Sequence, residues 1–160
     1  SEYAPSTTGA YLDVKLTNIG TGYDFEENVW LGTYCFEKGV SINLNTTYTV
    51  DVYSSLYPAN MPAHMSDKEW DRLNWLANNL DLFPDYLWSD FQHAIWTLED
   101  PSWNGAAGNG LPAKTSVADD MVAAAVANGD GYNPMPGGWA AVSFDNDGTR
   151  IQTVFIIVDP

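Results

Sequence analysis

Stretches of period-two alternation near both ends of the chain enclose a middle whose apolar residues recur at helical spacing, and this order restricts the fold more than any single motif. Tyr11-Leu12-Asp13-Val14-Lys15-Leu16-Thr17 alternates apolar and polar side chains, the pattern of a strand with one buried face. Val40–Asn45 and Tyr48–Tyr53 alternate in the same way, and Val29–Phe36 is a continuous apolar run expected as a strand buried on both faces. Pro58 and Pro62 then mark a crossover. Ser66-Asp67-Lys68-Glu69 has the spacing of a capping box, so a helix is expected from Asp67, with Trp70, Leu73, Leu76, Ala77 and Leu80 as its apolar stripe. Pro84 separates it from a second helix over Asp85–Glu99, and the two are expected as a hairpin. A Gly- and Asn-rich loop leads to a third helix, capped by Ser116 and ending at Gly129. Trp139–Phe144 and Arg150–Val158, joined by Asp145-Asn146-Asp147-Gly148, read as a terminal hairpin. Strands, then helices, then strands imply an α+β fold: an antiparallel β-sandwich or barrel with a helical insertion.

The 160 residues suit one domain, able to bury roughly 70% of its unfolded surface. Residues 1–9 are small and polar and read as a linker remnant, leaving residues 10–160 as the domain. Twenty-one acidic and six basic side chains give a net charge of −15, which disfavours anionic membranes and excludes nucleic acid as partners because both are polyanions. No run is long and apolar enough for a membrane span. With Ser at its start and no secretory leader, the chain reads as a monomeric domain cut from a longer protein, any signal or anchor lying outside it. A single cysteine forbids an internal disulfide, and an odd thiol in a secreted protein calls for an explanation.

The second helix contains the anomaly. Leu87, Asp90, Phe91, Ala94, Ile95 and Leu98 share one face, and Gln92 sits beside it, an amide among large apolar side chains. Left without partners, a buried amide costs about 1–3 kcal/mol, so it is either fully hydrogen-bonded or chemically altered. Cys35, in its apolar strand, is the residue that could alter it: attack of the thiol on the Gln92 carbonyl, with loss of ammonia, would leave an internal thioester. A lone Cys in an apolar strand is most often a small hydrophobe, and a Gln at a helix edge most often bonds backbone. Residue chemistry alone leaves both readings open.

The words around the two residues resemble the paired signatures of the bacterial surface thioester domains. Tyr34 and Phe36 flank Cys35; Phe91 precedes Gln92, and Ile95 and Trp96 follow it at three and four places. Leu73-Asn74-Trp75-Leu76-Ala77-Asn78-Asn79 resembles the helix these domains carry before the Gln helix, and Gln152 resembles a recurrent terminal Gln. Phe91 stands where many members have Thr. The resemblance implies a Cys35–Gln92 cross-link screened by Tyr34, Phe36, Phe91, Ile95 and Trp96. It implies an adhesion domain on the outer cell surface that acylates an amine-bearing protein or another nucleophilic ligand once, without turnover or cofactor. The two residues lie 57 positions apart, so only the tertiary fold could join them.

Three other assignments compete. A non-covalent ligand-binding β-sandwich would use the same words purely for packing. A Cys/His hydrolase would take Cys35 as nucleophile and His93 as base, oriented by Asp90; otherwise His93 is expected on the exposed side of its helix, or at the rim of the site as a proton shuttle. His64, in the crossover, is expected in solvent. Asp145 and Asp147 alternate like the oxygens of a short calcium loop, although a hairpin turn accounts for the same residues. The aromatics, Trp103 and Tyr132 among them, suit core or shielding roles better than a sugar platform.

Overall fold

The computed structural model describes residues 11–108, 110–146 and 151–159. Its strands are β1 (Tyr11–Lys15), β2 (Trp30–Cys35), β3 (Asp51–Ser54), β4 (Ala140–Asp145) and β5 (Val154–Val158). They form one antiparallel sheet in the order β1-β2-β5-β4-β3, which puts the last strand at the centre. The helices α1 (Ala63–Ser66), α2 (Trp70–Ala77), α3 (Trp88–Glu99) and α4 (Ser116–Asn128) lie between β3 and β4 in the chain. The α+β class, the antiparallel sheet and the helical insertion are therefore as expected. The layer packed on the sheet is helical: among the described residues no second sheet closes a sandwich. Phe36 stacks on Trp70 of α2 at 4.4 Å, Phe155 meets the same indole edge-on at 6.2 Å, and Tyr34 meets Phe91 of α3 edge-on at 4.9 Å. Such pairs contribute about 0.5–1.5 kcal/mol each beyond the area they bury.

Several local expectations give way to this packing. Residues 40–45 form no strand; Tyr48 Oη accepts from Asn43 N–H at 3.1 Å and Asn45 takes a φ of 55°, so the segment folds on itself, and only Asp51–Ser54 pairs with β4. The outer half of β2 is open rather than buried on both faces, with Trp30 45% exposed. The Ser66–Glu69 capping box does not form. Pro62 opens the separate turn α1, and the Trp70 indole donates to Met65 O at 2.8 Å, which buries Trp70 but breaks the helical path at residues 67–69. Glu69 instead pairs with Arg72 at 2.9 Å. The next helix starts at Trp88 rather than Asp85, because Asp90 Oδ2 accepts from Leu87 N–H at 2.9 Å and satisfies a free first-turn amide. For α4 the cap is Thr115, one residue before Ser116; its Oγ1 accepts from Val117 N–H at 3.1 Å.

Candidate functional site

Cys35 is the last residue of β2, and among the described residues the pairing with β1 begins one position before it, with Tyr11 opposite Tyr34. On the other side, Phe36 N–H donates to Thr153 O at 3.0 Å. Alternation along a strand therefore turns the Cys35 N–H and C=O away from β5, toward the side of β1. Two buried backbone groups there need partners, and the Gln92 side chain supplies both. Cys35 N–H donates to Gln92 Oε1 at 2.9 Å, and Gln92 Nε2 donates to Cys35 O at 2.7 Å. Helix α3 thus delivers one amide in the manner of a strand residue, and residues 57 apart in sequence meet at two points. Gln92 has no exposed surface and Cys35 is 2% exposed.

The enclosure acts on the thiol. Burial, and after it the negative charge of Glu37, push the Cys35 thiol up from an ordinary 9.0 to about 12, so the sulfur stays protonated through the neutral range. Of the five residues expected as a screen, Phe36, Phe91, Ile95 and Trp96 are buried and Tyr34 is half-buried. Tyr34 with Phe91, and Phe36 with Trp70, make aromatic contacts directly beside the pair in sequence. Trp96 belongs to a different cluster, edge-on to His93 at 6.4 Å and to Trp103 at 5.7 Å.

His93 is not an exposed helix residue: its side chain is fully buried. Its Nε2 is 2.8 Å from Pro112 O, and its Nδ1 is 3.1 Å from the Trp103 indole N–H. A carbonyl only accepts and an indole N–H only donates, so the two bonds specify one neutral tautomer, protonated on Nε2. Both ring nitrogens are engaged by partners other than Cys35. Asp90 does not orient the ring; its second oxygen accepts from Thr115 Oγ1 at 2.7 Å, tying α3 to the cap of α4. A cysteine hydrolase needs a base facing the sulfur, whereas here both imidazole nitrogens are taken by Pro112 and Trp103. A proton shuttle through His93 would first have to break one of its two bonds.

Asp145 is buried, and its Oδ1 accepts from Thr153 Oγ1 at 2.8 Å and faces His64 Nε2 at 3.3 Å. Its carboxylate is thus tied into the sheet, while Asp147 lies outside the described residues. Among the described residues no group of three or more His, Cys, Asp or Glu could hold a metal ion. Gln152 is also buried and donates to Thr153 O at 2.8 Å, while Glu37 Oε2 accepts from Thr153 N–H at 2.9 Å. Glu37 is the site residue that sequence reasoning passed over. Its place two positions after Cys35 was visible, but not the turn that holds its carboxylate against β5. Asn74, within the helix word noted above, is 2% exposed and accepts from Ser55 Oγ at 2.9 Å and Ala141 N–H at 3.1 Å, joining α2 to the sheet.

No family model and no curated protein matches the sequence. Among solved structures, the fold is similar to the N-terminal thioester domain of a surface protein from Clostridium perfringens, determined as a cysteine-to-alanine mutant. The TM-score is 0.51 at 10% sequence identity, over 82% of this chain and 84% of the other. The α+β fold of the chain is therefore similar to that of this thioester domain.

Proposed function

We propose that this chain is an extracellular adhesion domain in which Cys35 and Gln92 condense to an internal thioester that acylates an amine on a target surface. The observation that carries the reading is the two-point bond between the Gln92 amide and the Cys35 backbone. It sets the carbonyl that must be attacked against the residue that bears the thiol. In the condensation the Cys35 sulfur bonds to the Gln92 acyl carbon, the C–N bond breaks, and the thiol proton leaves with the nitrogen as ammonia. Cys35 N–H donates to the oxygen that gains negative charge in this step, and donates to it again when an amine opens the bond. On opening, the acyl carbon bonds to the amine nitrogen, the C–S bond breaks, and the amine proton passes to the sulfur. Burial of Cys35 and Gln92 keeps water from competing with the amine. No step regenerates the thioester, so the domain acts once and is not an enzyme.

The neighbouring fold comes from a surface protein, which supports an extracellular location. No helix among the described residues is long and apolar enough to cross a membrane. The test is thiol titration in denaturant: no reactive thiol in freshly prepared protein, and one after incubation with methylamine. A thiol that titrates fully without amine would overturn the proposal and leave a non-covalent binding module.

A further inference from the structure

A groove of about 740 Å³ runs between the sheet and the C-terminal end of α2. Its lining grades from exposed to buried. Trp30 and Trp139, 45% and 48% exposed, and the exposed carboxylate of Asp81 stand at the mouth, while half-buried Tyr34 and fully buried Phe91 line the interior. Phe91 adjoins Gln92 and Tyr34 adjoins Cys35 in sequence, and their rings meet at 4.9 Å, so the buried part of the lining is made of residues that screen the candidate bond. Asp81 is the one ionisable carboxylate in the lining, and the one cation recorded over its indoles is Lys15, whose Nζ stands 5.3 Å from the Trp30 ring centroid. With a net charge of −15 on the chain, the mouth repels anions and attracts cations. Two half-exposed indoles suit an alkyl stem ending in an ammonium group, apolar along its length and attracted to ring faces at its tip. Exposed tryptophans are costly in water, and their pairing at one mouth fits a ligand surface better than a core.

We propose that this groove is the route by which the nucleophile reaches Gln92, and that Trp30, Trp139 and Asp81 select an unbranched alkylamine, a lysine side chain carried on a basic protein segment. The edge contact of Tyr34 on Phe91 is the inner gate. The proposal rests on the thioester reading above and adds to it a location and a selection rule. The lysine enters as an ammonium ion, loses its proton to solvent before attack, and ends bonded to the Gln92 acyl carbon with Cys35 as free thiol.

The experiment follows adduct mass with time for a basic lysine peptide and, separately, for methylamine, in the wild type and in Trp30→Ala, Trp139→Ala and Asp81→Asn. The ratio of the peptide rate to the methylamine rate is expected to fall about tenfold in each tryptophan variant. In Asp81→Asn it falls less and its salt dependence weakens. An unchanged ratio in all three variants overturns the groove. Reversible binding of the same peptide to Cys35→Ala, which cannot react, separates the two claims. Peptide-induced shifts of the Trp30 and Trp139 indole resonances support the groove even if the wild type forms no adduct. Their absence overturns it whatever the wild type does.

Discussion

Replacing Gln92 by Met tests the environment assigned to Cys35. Methionine matches glutamine in length, keeps the site filled and has no carbonyl, so the variant retains a buried thiol that cannot be acylated. In the unfolded chain the thiol ionises near 9.0, and in the fold near 12. Below pH 9 both states hold the proton and this group has no effect on stability. Between 9 and 12 the unfolded chain has lost the proton while the folded one keeps it, so stability falls as pH rises, by about 1.4 kcal/mol per unit. At about pH 10.5 Gln92→Met should therefore have lost about 2 kcal/mol more than Cys35→Ala, which has no thiol, relative to their difference at pH 7.5. Urea unfolding of both variants across this range makes the measurement. The unpaired Cys35 backbone in Gln92→Met adds a constant offset that does not depend on pH. If the difference between the variants stays constant from pH 7.5 to 10.5, the thiol is not held protonated by burial and Glu37, and the reasoning fails.

His93→Ala should cost about 2–4 kcal/mol, since it leaves the Trp103 indole and Pro112 carbonyl unpaired beside a cavity; an unchanged melting temperature would return His93 to the surface. Methylamine addition to this variant, corrected for folded fraction, should stay within about threefold of wild type, and a much larger drop would restore the shuttle. Asp90→Ala removes the acceptor of Leu87 N–H and Thr115 Oγ1, so thermal unfolding should report a loss of about 2–3 kcal/mol. A cross-link between residues 57 apart should make the wild type about 2–4 kcal/mol more stable than Cys35→Ala, by analogy with disulfides; equal melting would make the bond chemical without being structural.

The meeting of Cys35 and Gln92 was expected only through the resemblance of their flanking words to thioester domains; residue chemistry marked the amide as anomalous without naming its partner. The central hairpin was legible mainly from Val154–Val158, a run of strand formers, whereas Ala140–Asp145 holds only Val142 and Phe144 of that kind. What sequence misread was decided by distant partners. His93 looked like a surface histidine because the indole and carbonyl that bury it come from Trp103 and Pro112, on a loop with no periodicity to place it. The capping box at Ser66 was chemically sound but lost to the burial of Trp70, a tertiary gain larger than a cap. Residues 40–45 alternate like a strand, yet among the described residues they pair with neither edge strand and touch the sheet region only where Ser41 O accepts from Gln152 N–H at 3.2 Å; alternation without a partner strand does not make one.

The central claim is a covalent bond, and intact-protein mass reads it directly. Native protein, freshly prepared without amine buffers, should be lighter than its sequence by one ammonia, while Cys35→Ala and Gln92→Met should each have their full sequence mass. A wild type at full sequence mass, with Cys35 unmodified and Gln92 still an amide by peptide mapping, would contradict the account.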